Sequence, residues 1–146
     1  MGAAEVEAML EEKNLGVLAL ARGGEPYAIP MAYRYGDGTV YFKFGVPTDS
    51  RKQTIVDEND TVSFVVYDIE TDEGSGGYLQ HHPWRSVQLN GHLRAVDDPE
   101  AVDVVVDTDR GDVPDNPWGE PRAEMSFTMY RLDAEEVSGR KAVLDD

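Results

Sequence analysis

Apolar and polar positions alternate with a period of two along much of this chain, which is the signature of strands with one buried face. Tyr27, Ile29, Met31, Tyr33 and Tyr35 share one face of a run from Tyr27 to Tyr35, and Gly36-Asp37-Gly38 closes it as a tight turn. Val40, Phe42 and Phe44 then repeat on one side, with Tyr41 and Lys43 on the other. Upstream, Leu15 to Ala21 is almost continuously apolar and runs into Gly23-Gly24. Three consecutive antiparallel strands forming a meander are the simplest expectation. Thr61 to Tyr67 is β-branched and aromatic and predicts a fourth strand. Trp84 to Val96 alternates through Val87, Leu89, Leu93 and Ala95, with Gly91 as a bulge or a point of close approach. Met125 to Leu132 predicts one more strand.

Helical spacing is confined to short stretches. Val6, Met9 and Leu10 place a helix over Ala3 to Lys13, and glutamates early in it suit the N-terminal dipole. Ser50 followed by Gln53 reads as a capping box before Ile55 and Val56, giving one or two turns that end near Asn59. Asp98-Pro99-Glu100 has the form of a helix start, although Val104-Val105-Val106 weakens it. Asp68 to Gln80 reads as an acidic, Gly-rich excursion, and Asp112 to Arg122 as a Pro-rich loop. Five or six strands with short helices predict one domain over residues 1–146. The fold class is mainly β (α+β), an antiparallel barrel or sandwich.

Charge narrows the partners. The chain has 146 residues with a formal charge of −16. Nucleic-acid affinity comes largely from cations that neutralise phosphates, so DNA, RNA and anionic membranes are poor partners. A hydrophobic content of 40% argues against disorder. Nine Arg and four Lys against that acidic excess fit a protein adapted to molar salt, where screening lengths fall to about 3 Å. An ordinary acidic protein would share the composition. With no cysteine, disulfides and thiolate chemistry are excluded. The longest apolar run is far shorter than a membrane span, and the N-terminus lacks a signal-peptide pattern. A cytoplasmic protein is the expectation.

One segment departs from the overall charge. Between Met31 and Gln53, the cations Arg34, Lys43, Arg51 and Lys52 outnumber Asp37 and Asp49. Arg51-Lys52 falls in the first turn after Ser50, where free N–H groups and the helix dipole favour an anion. Lys43 lies on the strand leading there, so the two features converge on a phosphate-sized site. The plainer reading is that these cations merely balance nearby acids, although cations are unfavourable at a helix N-terminus. Tyr33, Tyr35, Phe42 and Phe44 read first as core or barrel lining. His81 and His82 would point to opposite sides of a strand, and His92 has no carboxylate at metal-ligand spacing, so surface loop roles are expected and no metal site. No serine carries a nucleophile signature, and Gly74, Gly76 and Gly77 lack the Lys-Ser/Thr of a phosphate loop.

In order and spacing, several pieces resemble the pyridoxamine 5′-phosphate oxidase-like family of FMN-binding split β-barrels. They are Gly16-Val17-Leu18-Ala19-Leu20, Pro26 to Tyr33, Val40-Tyr41-Phe42-Lys43, Ser50-Arg51-Lys52, and Trp84-Arg85-Ser86-Val87 leading to Gly91. A closing echo runs from Tyr130-Arg131-Leu132 to Ser138-Gly139-Arg140-Lys141. The resemblance implies a homodimer with FMN in clefts between subunits. It implies that Ser50, Arg51 and Lys52 hold the phosphate with Lys43. Met31, Ala32, Tyr33 and Arg34 would run along the flavin ring near Phe42, and Ser86, with Arg85, would contact FMN from the adjoining strand. Many small relatives carry histidine where Lys43 stands. The C-terminal Arg and His motif that holds substrate in true pyridoxamine phosphate oxidases is not recognisable, and residues 68–83 form an insertion. The implied activity is an FMN-dependent oxidoreductase passing electrons from a reduced nicotinamide to a small-molecule acceptor. A deazaflavin-dependent reductase of the same fold and a non-catalytic flavin- or ligand-binding module remain alternatives, and no general acid or base stands out.

Overall fold

The structure, a computed structural model, describes residues 1–46, 50–70, 82–97 and 126–142. Helix α1 (Ala3–Glu12) precedes strands β1 (Leu15–Arg22), β2 (Glu25–Ala32), β3 (Arg34–Gly36) and β4 (Thr39–Val46). Helix α2 (Ser50–Glu58) then leads to β5 (Thr61–Ile69), β6 (Trp84–Ala95) and β7 (Ser126–Ala142). All seven strands belong to one sheet in the order β2-β1-β5-β6-β7-β4-β3, and every pairing is antiparallel. The expected helices over 3–13 and 50–59 are present. The excursion expected from Asp68 begins later, because Asp68 and Ile69 still belong to β5; its Gly-rich part, the helix expected from Asp98, the Pro-rich loop, His81 and the start of the last strand at Met125 lie outside the described residues.

The first correction to the sequence reading concerns the meander. Tyr27 to Tyr35 keeps its alternation, with Met31 and Tyr33 buried between exposed Pro30, Ala32 and Arg34. It is not one strand, however. Residues 25–32 pair with β1, the Tyr33 N–H donates to the Asn14 carbonyl at 3.0 Å, and Arg34 to Gly36 pair with β4. The two edges of the sheet are thus consecutive in the chain, so the sheet curls back on itself. Pairing with β4 stops at Tyr41, leaving a seam between β2 and the rest of β4. The barrel is split there.

Two turns set the hairpins. Gly23 and Gly24, and likewise Asp37 and Gly38, all have positive φ, the backbone of a tight turn whose twist matches the strands it joins. Gly91 is both a bulge and a close approach: the β6–β7 register shifts between Asn90 and Gly91, and a Cβ there would collide with the Asp133 carbonyl. β7 is longer than expected and absorbs the closing Tyr130 to Lys141 stretch into one strand.

The core fills the barrel. Leu18, Val40, Phe42, Phe44, Phe64, Val66 and Val87 are fully buried, and Met9 and Leu10 of α1 close one end. Phe64 meets Phe42 and Tyr33 edge-on at centroid distances of 4.8 and 5.3 Å, an arrangement that suits aromatic quadrupoles. Among the described residues no helix is long and apolar enough to cross a membrane.

Candidate functional site

Helix α2 lies over the seam. Lys52, Ile55 and Val56 are spaced i, i+3, i+4, so they share one helical face, and all three are buried. Lys52 is only 6% exposed; its Nζ is 3.2 Å from Met31 Sδ of β2 and 5.2 Å from the Phe44 ring centroid of β4. Its side chain therefore bridges the two strands that fail to pair. Arg51, one residue earlier, is exposed, and its guanidinium sits 4.5 Å above the ring of Tyr27 on β2. Among the described residues no carboxylate forms an ion pair with Arg51.

The helix is tied down elsewhere. Gln53 Nε2 donates to Thr128 Oγ1 of β7 at 3.3 Å, Arg22 Nε of β1 pairs with Glu58 at 2.7 Å, and Asn59 Nδ2 donates to the Ala21 carbonyl at 3.1 Å. Ser50 is the first residue of the helix rather than a cap ahead of it. The result is an exposed guanidinium and a buried ammonium in the first turn of a nine-residue helix, an arrangement that can hold an anion.

The other expected site residues are distributed differently. Phe42 is sealed in the core. Tyr33 is buried too, its hydroxyl donating to the Leu10 carbonyl at 2.9 Å, and burial pushes its pKa up to about 12. Neither side chain offers a surface to a ligand. Ala32 and Arg34 are exposed, and Lys43 is half-buried on β4. Arg85 and Ser86, neighbours on β6, point to opposite faces of the sheet. Arg85 turns towards α1, where Nη2 donates to Glu12 at 2.7 Å and to Asp68 at 3.0 Å, with Lys13 3.4 Å from Asp68. These bonds, that from Arg85 first, hold the Asp68 carboxyl below its usual range. Arg85 is thereby committed to two carboxylates. Ser86 faces outward between Tyr67 and Arg140.

Sequence reasoning missed Tyr27 and Phe44 as the ring partners of Arg51 and Lys52. The i, i+3, i+4 spacing of Lys52 with Ile55 and Val56 was the available sign that Lys52 is buried. It also misplaced His92, which stands on β6, with Asp60 and Glu135 at 2.8 and 2.9 Å from its two ring nitrogens. Strand pairing brings together carboxylates that are remote in sequence. A depression of about 380 Å³ borders His92, and a groove of about 820 Å³ runs between α1 and β3, β4 and β7. Neither is lined by Arg51 or Lys52.

A curled antiparallel sheet, split at a seam that a short helix covers, defines a split β-barrel. The family model described as pyridoxamine 5′-phosphate oxidase matches residues 2–141, and the chain belongs to that family. Solved structures share the fold. An FAD-binding protein from Mesorhizobium loti superposes with a TM-score of 0.69 at 25% identity, covering 98% of this chain and 96% of that one. The FAD-binding protein from Mycobacterium smegmatis gives 0.65 at 18% identity, with 98% of each chain covered. A conserved protein of unknown function from Corynebacterium diphtheriae gives 0.62 at 23%, covering 99% and 96%. Among curated proteins no sequence matches this chain.

Proposed function

We propose that the protein binds FMN, with the phosphate at the start of α2, and works as an oxidoreductase on a small molecule. The observation that carries this is the pair Arg51 and Lys52, set at the barrel seam in the first turn of α2. The donor set fits in a graded way. Arg51 presents a forked, exposed cation of the geometry a phosphate accepts. Lys52 contributes charge from beneath, its ammonium packed against Met31 and Phe44. Arg85 does not fit, because Glu12 and Asp68 already neutralise its charge through Nε and Nη2.

Bound flavin would supply the redox chemistry, accepting electrons from a reduced nicotinamide and passing them to an acceptor. The chain's own part is to bind the phosphate, to orient the ring along the backbone of Ala32 to Arg34, and to exclude water.

A second copy of this chain completes the site in this reading. The outward positions of β2, β1 and β5, and those of β6 from Trp84 to Asn90, carry no charge in a chain that is 29% charged. Leu15, Tyr67 and Ile69 are conspicuously exposed there, and Ala32 and Ser86 lie on the same face. An uncharged, partly apolar face on so acidic a protein is what a subunit interface needs. The charge pattern also favours a protein that works in concentrated salt.

A second reading, FAD in place of FMN, is favoured by the likeness to the FAD-binding protein of Mesorhizobium loti. The test is the absorbance spectrum of the protein purified in high salt, with mass analysis of what heat releases and light scattering for oligomeric state. Released FMN in a dimer is the expected result. Released FAD selects the second reading. A colourless protein that fails to take up either flavin overturns both and turns attention to a deazaflavin or a non-redox role.

A further inference from the structure

His92 stands on the outward side of β6 at the far end of the uncharged face, bordering the smaller depression. Its Nδ1 is 2.8 Å from Asp60 Oδ1 and its Nε2 is 2.9 Å from Glu135 Oε1. A carboxylate only accepts, and a neutral imidazole has a single N–H. Both contacts are hydrogen bonds only when the ring carries two N–H groups, so this geometry belongs to the imidazolium.

The surroundings agree. Asp60 also accepts from Arg94 Nη1 at 3.1 Å, and Arg94 Nε is 4.0 Å from Asp133 of β7. Thr61 Oγ1 lies 3.5 Å from Nδ1, and Glu136 borders the same depression. The β1 residues there, Ala19 and Ala21, bring no charge. Among the described residues the carboxylates Asp60, Asp133, Glu135 and Glu136 thus surround His92 and Arg94, with Arg131 of β7 across from Arg94. The hydrogen bond to Asp60 is the chief reason the imidazole holds its proton above the ordinary value of 6.5, and Glu135 adds to it against partial desolvation.

The position matters as much as the charge. Asp60 lies between α2 and β5, and its carbonyl accepts from the Leu93 N–H at 2.9 Å. The preceding Asn59 fastens the end of α2 to β1. We propose that His92 is a proton-operated clamp: when charged it ties the corner between α2 and β5 to β7 through Asp60 and Glu135, and when neutral it must release one of them. The clamp stands whatever ligand α2 holds.

The sign follows from the raised affinity for a proton. The clamp's contribution to stability is complete below the imidazole's unfolded value and is lost as pH rises through its higher folded value. NMR titration of the His92 ring and thermal unfolding from about pH 5 to pH 9 test this, at one fixed salt concentration, on the parent, His92→Gln, Asp60→Asn and Glu135→Gln. His92 should titrate above 6.5. Its midpoint should fall in Glu135→Gln and further in Asp60→Asn. The parent's thermal advantage over His92→Gln should be largest at the acid end and fade as pH rises. Glu135 is 72% exposed on its side chain, so Glu135→Gln will fold and keeps the test decisive. Titration at or below 6.5, or a parent-to-His92→Gln difference that does not change with pH, overturns the proposal.

Discussion

Two corners of this barrel place cations close to a strand, and they differ in what the cations touch. At the β5–β6 corner Arg85 is bound by Glu12 and Asp68, with Lys13 alongside. At the seam Arg51 lies over the ring of Tyr27, and Lys52 is sunk against a thioether and an aromatic face. Both corners were candidates for the same cofactor. The first is neutralised by its own chain, and an incoming phosphate there would have to displace two carboxylates. At the seam no carboxylate among the described residues pairs with Arg51, whose guanidinium rests on an aromatic face, so its positive charge remains for an anion. What a cation already touches decides whether it can serve as a binding site.

The largest expected effect breaks that comparison at the seam. Replacing Arg51 and Lys52 together with Ala should weaken FMN affinity by about 2–5 kcal/mol, read by fluorescence titration in high salt, while Arg85→Ala leaves it unchanged. Equal losses in the two variants would erase the distinction between the corners. Next, Lys52→Met separates charge from packing. It keeps a stem of similar length along the Lys52–Ile55–Val56 face, so the urea midpoint should hold or rise. Affinity should still drop by about 1.5–3 kcal/mol if the ammonium supports the phosphate.

Smaller effects sharpen the picture. Tyr27→Leu removes the ring beneath Arg51 and should cost about 0.5–1 kcal/mol of FMN affinity, with Tyr27→Phe retaining it. At the other corner, Arg85→Ala should lower stability by about 0.2–1 kcal/mol at neutral pH, since its pairs are half-exposed. The Asp68 carboxyl is held below its usual range, so that contribution is present above its unfolded value and is lost as pH falls through the folded one. Acid titrations of parent and variant should therefore converge at low pH, as circular dichroism would report.

Much of the fold was legible because strand and helix periods are local. Buried Val40, Phe42 and Phe44, the α1 face with Met9 and Leu10, and Gly91 as a bulge follow from spacing alone. The break at Tyr33 was not legible. Alternation continues straight through it, and only the change of pairing partner from β1 to β4 reveals that the strand serves both edges. The candidate anion site was legible as charge, through Arg51-Lys52 after a strand bearing Lys43. Which cations are engaged was not. Arg85 meets Glu12 across 73 residues and His92 meets Glu135 across 43, distances along the chain over which no local pattern carries information.

The sequence by itself determined the strands and short helices, the acidic surface, and the segment where positive charge gathers, because each depends on near neighbours in the chain. Tertiary structure decided the seam, the burial of Lys52, the engagement of Arg85, the doubly bonded ring of His92 and the uncharged outer face. Each of these is a relation between side chains that only the closing of the sheet brings within reach of one another, and electrostatic and hydrogen-bonding energies act over distances in space rather than along the chain.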